Sequence, residues 1–327
     1  MENKKMKAIV YHRHGPPKVL LPQEVDMPIP KEDEVLIRNY GSSINTADVF
    51  YRGGYPKVMP LAIKGVLKLI MRLRKPRRKI PGCGFAGEIV SLGHKVTDWQ
   101  VGDQVYGYAP KGGACAQYLA VPSSIIAKKP SNLSFLEAAA VPGGAGPALV
   151  AFRDVTRPQK GMEVLVIAAS GGIGTFGVQI AKHVYGAHVT GVCGPSNQSM
   201  VKAIGADAVI DYTKTDYTKG DKKYDIIFDA IGANRFSLCE KILSDEGLYV
   251  TVNPVARLGN VFKMKDRRFK GVEADESAAA LNLLREWIES GKVKPVIDTV
   301  YPLNKTAEAH RHYETGHSKG RVVISID

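Results

Sequence analysis

The chain has 327 residues, 44% of them hydrophobic and 24% charged, with 33 glycines and 19 prolines. That length accommodates about two domains, and the composition excludes disordered, collagen-like and coiled-coil classes. The net charge of +13 is concentrated in one place. Residues 57–79 hold nine basic side chains and no acid, and removing their charges leaves the rest of the chain at +4.

Taken in chain order, four of the first seven residues are charged and no apolar run follows, so a secretory route is not expected and the cytoplasm is. Short β-branched or aromatic runs at 6–11, 34–40, 87–91, 103–108 and 115–121 are punctuated by Gly and Pro. They predict a compact β-barrel-like domain over residues 1–125. Inside the basic segment, Leu61, Ile63, Val66, Leu67, Ile70 and Leu73 recur at near-helical spacing, which predicts an amphipathic helix. Its basic face is open to three readings: the solvated side of a flap, a docking surface for a polyanion, or a membrane or nucleic-acid patch. The segment has no aromatic residue, which weighs against nucleic acid.

Ser134 with Glu137 three residues on forms a capping box that opens a helix. From Gly161 the chain alternates: strand 164–168, helix 174–185, strand 188–193, helix 199–204, then strands 208–210, 225–229 and 248–252. This rhythm predicts a doubly wound parallel sheet, a Rossmann domain over residues 126–265. The uncharged stretch 164–181 is interrupted by four glycines, so it reads as strand, turn and helix and not as a membrane span. The tail, 266–327, returns to the first domain. It carries a helix over 275–290 ending at Gly291, strands at 296–301 and 322–326, and a helix over 305–315.

The chemistry-bearing motif is the turn Ser170-Gly171-Gly172-Ile173-Gly174 between a buried strand and a helix. Small residues let the backbone approach a pyrophosphate, and the helix start offers unpaired N–H groups to it. The alternative is a tight structural turn. The next strand ends Cys193-Gly194-Pro195-Ser196-Asn197, without the acid that would bind a ribose 2′-hydroxyl. A 2′-phosphate is therefore tolerated. Ser196, Asn197 and Tyr212 can donate to it, and the expected cofactor is NADPH. Ser196-Asn197 could equally cap the following helix, and Tyr212 could be a surface loop residue. Cys193 is expected to line the adenosine side as a small apolar group. The four cysteines show no paired spacing, so neither a disulfide framework nor a zinc knuckle is expected.

These features occur among a series of ordered short motifs. They are Met6-Lys-Ala-Ile-Val-Tyr11, Asn45-Thr-Ala-Asp48 with Arg52-Gly-Gly54, Pro81-Gly-Cys-Gly-Phe-Ala-Gly-Glu-Ile-Val90, Val101-Gly-Asp-Gln-Val105 and Gly113-Ala-Cys-Ala-Gln-Tyr118. Further on come Gly205-Ala-Asp-Ala-Val-Ile-Asp-Tyr212, Phe228-Asp-Ala-Ile-Gly232 and Gly316-His-Ser-Lys-Gly-Arg-Val-Val323. With them the sequence resembles the medium-chain dehydrogenase/reductase superfamily, and within it the zinc-independent quinone oxidoreductase branch. The resemblance implies an α/β architecture: a GroES-like β-barrel catalytic domain interrupted by the Rossmann domain, with the active site in the cleft between them. It also implies a homodimer and a place for Gly232 beside the cofactor. Zinc-dependent relatives carry Cys where Asn45 stands and Gly-His-Glu where Gly82-Cys83-Gly84 stands, so no metal is expected.

Without a Lewis acid, a substrate that spreads the incoming charge is favoured, which points to a quinone or an α,β-unsaturated carbonyl. Asn45 is the expected hydrogen-bond donor near the nicotinamide or substrate oxygen, and Tyr51 or Tyr55 could donate to the developing oxyanion. Asp48 and Arg52 are expected to hold the loop. His310, His312 and His317 read as a solvated helix end. Two alternatives stay open: a metal-free alcohol or carbonyl dehydrogenase, and a binding or regulatory protein of the same fold that uses residues 57–79.

Overall fold

The structure, a computed structural model, describes residues 4–53, 76, 79–232, 234–254, 260 and 263–327. Tyr55 and the basic segment 57–79, apart from Pro76 and Lys79, lie outside them.

The chain divides into two compact units, the first made of Met1–Gly143, Glu276–Glu286 and Ile297–Asp327. In it β1 (Lys5–Val10) pairs antiparallel with β2 (Leu21–Asp26). Pro22 removes a backbone donor from β2, which has no partner but β1 among the described residues. Five strands follow: β3 (Glu34–Ser43), β4 (Gly84–Leu92), β5 (Gln104–Tyr108), β6 (Tyr118–Pro122) and β7 (Ile126–Lys128). Their alternating inward residues, among them Val35, Ile37, Phe85, Ile89 and Val105, close one core. The boundary expected at residue 125 falls too early. β7 pairs with β5, and the helix Phe135–Ala139 stacks Phe135 on Tyr40 of β3 with ring centroids 4.6 Å apart. That helix opens on the expected capping box: Ser134 Oγ accepts from Glu137 N at 3.3 Å, and Ser134 N donates back to the Glu137 carboxylate at 2.9 Å.

The second unit is Gly144–Asp275 with Trp287–Val296. Its sheet comprises β8 (Glu163–Ile167), β9 (His188–Cys193), β10 (Ala208–Asp211), β11 (Tyr224–Asp229), β12 (Leu243–Thr251) and β13 (Phe269–Gly271). All pairs are parallel, in the order β10-β9-β8-β11-β12-β13. This is the doubly wound order with its switch point at β8. Val164, Leu165 and Val166 are fully buried, as a strand covered on both faces requires. The segment after residue 265 had been assigned to the tail, but β13 extends this sheet and keeps residues through Asp275 in the second unit.

The tail helix Ala278–Glu289 ends as expected at Gly291, which has a φ of +75°. Then β14 (Ile297–Pro302) and β15 (Arg321–Ser325) complete the first unit's sheet, ordered β14-β15-β3-β4-β5-β7 with β6 also on β3. β15 therefore lies inside the sheet, with Val323 opposite Ser43. No helix among the described residues is long and apolar enough to cross a membrane.

Candidate active site

The turn after β8 is built by close backbone approach. Ala168 takes a left-handed conformation, φ +59°, and its carbonyl accepts from Gly171 N at 2.9 Å. The helix Gly174–Gln179 starts against that peptide and continues into π turns at Ile180–Val184. A Cβ on Gly174 would collide with the Ala168 carbonyl oxygen and lie 2.8 Å from its carbon. At Gly177 a Cβ would meet the Phe228 ring at 2.9 Å. Strand and helix are thus held at glycine distance, and the helix N-terminus, with its unpaired N–H groups, stands beside Ser170, Gly171, Gly172 and Ile173.

The residues expected around a ribose come together at the end of β9. Asn197 makes no side-chain cap for the helix Gln198–Ala203. Instead its Nδ2 donates to Ser170 Oγ at 3.1 Å, and Ser196 Oγ donates to Asn197 Oδ1 at 3.3 Å. The amide is turned to the glycine loop and not to the helix start. Tyr212 is 54% exposed, and its hydroxyl would stand 3.6 Å from a Cβ on Gly194. Cys193 is buried, and burial pushes its thiol up. The acid opposite it on β10, Asp211, is turned into its own loop. There Oδ1 accepts from the Thr213 hydroxyl at 2.7 Å and from Thr213 N at 2.9 Å, holding the carboxyl below its usual range. Gly232 follows β11 with φ +69°, its N–H on Asp229 Oδ1 at 2.9 Å. Asp229 also accepts from Ile231 N, Asn234 N and the Tyr249 hydroxyl, so one carboxylate gathers four donors.

The second cluster belongs to the first unit. The helix Thr46–Gly53 begins at Asn45, where Asp48 Oδ2 accepts from Asn45 N at 2.9 Å. Asp48 Oδ1 accepts from Gly82 N at 2.8 Å and from Cys83 Sγ at 3.4 Å. Burial pushes the Asp48 carboxyl above its ordinary value despite these donors. Asp48 therefore ties two chain segments together, the loop-holding role read from the sequence. Arg52 has the same character, pairing with Glu314.

Asn45 is itself buried and gripped. Arg321 at the head of β15, 3% exposed, donates from Nη2 to Asn45 Oδ1, to Ser43 Oγ at 3.1 Å and to Pro142 O at 3.2 Å; its Nε donates to Ala140 O at 3.1 Å. A guanidinium only donates, so it orients the amide oxygen toward itself. Nδ2 then points the other way, and Ser43 O takes one of its hydrogens at 3.0 Å. Tyr108 closes the group. A Cβ on Gly143, φ +74°, would strike Asn45 Oδ1 and lie 3.1 Å from Tyr108 Cε2. Glu276 accepts from Gly143 N at 2.8 Å. Burial, with the charges of Cys83, Asp48 and Glu276, keeps the Tyr108 phenol protonated.

Tyr51 lies on the same helix, half-buried, with its ring 5.1 Å from Phe50 and its carbonyl on His14 Nδ1 at 2.8 Å. The histidine expectation needs correction. His310 is fully buried and His312 lies 3.0 Å from Asp298; only His317 is exposed. Thr306, Ala309 and His310 share the inward face of their helix at i, i+3, i+4.

Residues 31–131 match the alcohol dehydrogenase GroES-like domain and residues 204–324 the zinc-binding dehydrogenase model. An NADPH-dependent alkenal/one oxidoreductase of Arabidopsis thaliana is 35% identical over 98% of this chain and 80% of its own length. The chain belongs to the medium-chain dehydrogenase/reductase superfamily. A 2-methylene-furan-3-one reductase of Solanum lycopersicum is 33% identical over 98% of this chain and 79% of its own. The quinone oxidoreductase of Coxiella burnetii superposes with a TM-score of 0.86 at 28% identity, covering 99% of this chain and all of the other. This dehydrogenase/reductase is therefore an oxidoreductase that uses a pyridine nucleotide and small-molecule substrates. Despite the name of the matched model, no group of three or more His, Cys, Asp or Glu among the described residues is placed to hold a metal ion. At Asn45, the position of one expected zinc ligand, the side chain is an amide held by the Arg321 guanidinium.

Sequence reasoning missed Arg321, Tyr108 and Glu276 as members of the site. The available signal was Arg321, a lone charge heading the apolar run Val322-Val-Ile-Ser-Ile326.

Proposed function

We propose that this oxidoreductase uses NADPH to reduce a quinone or the alkene of an α,β-unsaturated carbonyl, without a metal. The observation that carries it is the Arg321–Asn45 pair: a neutral amide, gripped by a buried guanidinium, stands where the zinc reading would need a thiolate. The activities named for the relatives, alkenal/one, furanone and quinone reduction, support the same reading.

The nicotinamide supplies the hydride. Ser170 and Gly171–Gly174 receive the diphosphate at the helix start. Asn197, Ser196 and Tyr212 receive the 2′-phosphate, Cys193 lies under the adenosine, and Gly232 leaves room along the ribose. Asn45 Nδ2 donates to the substrate oxygen as charge develops there, and Tyr51 and Tyr55 are the further candidates for that contact. A neutral donor in a dry site needs no reorganisation at the moment of reaction. Water delivers the proton to the α-carbon. The protein acts as a homodimer in the cytoplasm, a compartment in keeping with its four free cysteines.

The test is steady-state turnover of enones, alkenals, quinones and secondary alcohols with both nucleotides, before and after chelation. Enone or quinone reduction preferring NADPH and indifferent to chelator is expected. Activity confined to alcohols, or one lost with a bound metal, overturns the proposal.

A further inference from the structure

We propose that Arg321 is the positioning residue of the reduction: its buried guanidinium fixes the Asn45 amide with nitrogen toward the substrate and polarises it as an oxyanion donor. This rests on the reading of the chain as an enone or quinone reductase.

Three observations carry it. Among the described residues, every hydrogen-bond partner of the guanidinium is a neutral oxygen: a hydroxyl, a side-chain amide and two backbone carbonyls. No carboxylate touches it in a direct bond there, so its charge is not spent in an ion pair, and one of the four partners is the Asn45 amide. The amide is 4% exposed, so the field of the cation reaches it through protein and not through water. Burial holds the Arg321 guanidinium below its ordinary value, and Asp48 and Glu276 oppose that only through space, without capturing the fork. Finally, Gly143 keeps the amide and the Tyr108 ring edge within van der Waals reach of one point, so the amide has little room to rotate.

In the reaction the hydride pair from the nucleotide forms the new β-carbon–hydrogen bond, the alkene π pair becomes the double bond between the α-carbon and the carbonyl carbon, and the carbonyl π pair moves onto oxygen as its negative charge. The nucleotide is oxidised, and water then protonates the α-carbon. The second Asn45 Nδ2 hydrogen, the one Ser43 O does not take, meets that oxygen. Arg321 strengthens the bond by drawing electron density from Oδ1. Both substrates spread the charge, but the enolate shares it between one oxygen and the α-carbon while a quinone ring spreads it further, so the effect is larger for the enone.

The experiment compares Arg321→Gln and Arg321→Lys with the wild type on an enone and a quinone, each alone and combined with Asn45→Ala. Arg321→Gln should lower kcat for the enone at least tenfold with KM changed less than about threefold, and lower it several-fold less for the quinone. Arg321→Lys should recover part of the loss. In the Asn45→Ala background neither change should cost further kcat. Equal losses on both substrates, or losses that add to those of Asn45→Ala, mean a structural role and overturn the proposal. If Arg321→Gln does not fold, Arg321→Lys and the Asn45→Ala combination carry the same comparison. Should the wild type reduce neither substrate, the reductase reading falls and this proposal with it. If the wild type reduces both and the variants show no selectivity, only the role of Arg321 falls.

Discussion

Replacing Gly174 by Ala tests the geometry of the dinucleotide turn at its tightest point. The added methyl would overlap the Ala168 carbonyl oxygen and stand 2.8 Å from Ala168 C and 2.9 Å from Ala169 Cα, all backbone. Carbon contacts are comfortable at about 3.5–4.0 Å, so the helix must move away from the strand by roughly an ångström. Overpacking of this kind costs about 1–3 kcal/mol. Alanine regains up to ~1 kcal/mol over glycine in a helix interior, and less at the first helical residue. A net loss of about 2 kcal/mol lowers the melting midpoint by ~4–8 °C for a unit of this size. Gly177→Ala is the matched control. Its methyl meets only the Phe228 ring, at 2.9 Å, and a side chain can yield while the helix keeps its propensity gain. Thermal melts with and without NADPH check both. Gly174→Ala should lose stability and nucleotide affinity together, and Gly177→Ala much less of each. A Gly174→Ala protein melting within a degree of the wild type, or less damaged than Gly177→Ala, would refute the close approach.

Four other outcomes follow from the same structure. Ala168→Gly removes a side chain from a left-handed residue and should stabilise the protein by about 1 kcal/mol in denaturant melts. Ser134→Ala breaks the capping box and should cost about 1 kcal/mol in the same assay. Burial, aided by the nearby Arg52 charge, pushes His310 down to about 3. The folded state then binds fewer protons than the unfolded one below pH ~6.5, so this contribution is full above that pH and is lost as pH falls toward 3, at up to about 1.4 kcal/mol per pH unit. His310→Leu should flatten that slope in melts run from pH 7 to pH 4. Asn197→Asp places a carboxylate beside Ser170 Oγ. Isothermal titration should show NADPH weakened at least tenfold relative to NADH, about 1.4 kcal/mol.

The parallel sheet was legible because its strands are short apolar runs between turns, and His188–Cys193 matches its expected limits. The barrel strands showed through their alternation, except Leu21–Asp26, whose Pro22 and exposed residues hide an edge strand. Ile126–Lys128 is too short to show a period. The glycine turn and the residues near Asn197 could be found because they lie close together in sequence around one strand–turn–helix unit. The Asn45 cluster could not. Its decisive bond joins residues 276 apart, and no local pattern marks Arg321 as the partner of an amide at the other end of the chain. His310 misled for a related reason: a polar residue on a short helix reads as solvated until the strands that cover it are known.

The position of β15 has a consequence for biogenesis. This strand sits between β14 and β3, so the first unit's sheet lacks an interior member until residues 321–325 have been translated. The Rossmann sheet, contained within Gly144–Asp275, has all its strands translated well before that. The inserted unit is thus free to mature first, while the flanking one waits with an open seam until β15 arrives. Ribosome-stalled chains ending before residue 321 would hold Asn45 without its guanidinium.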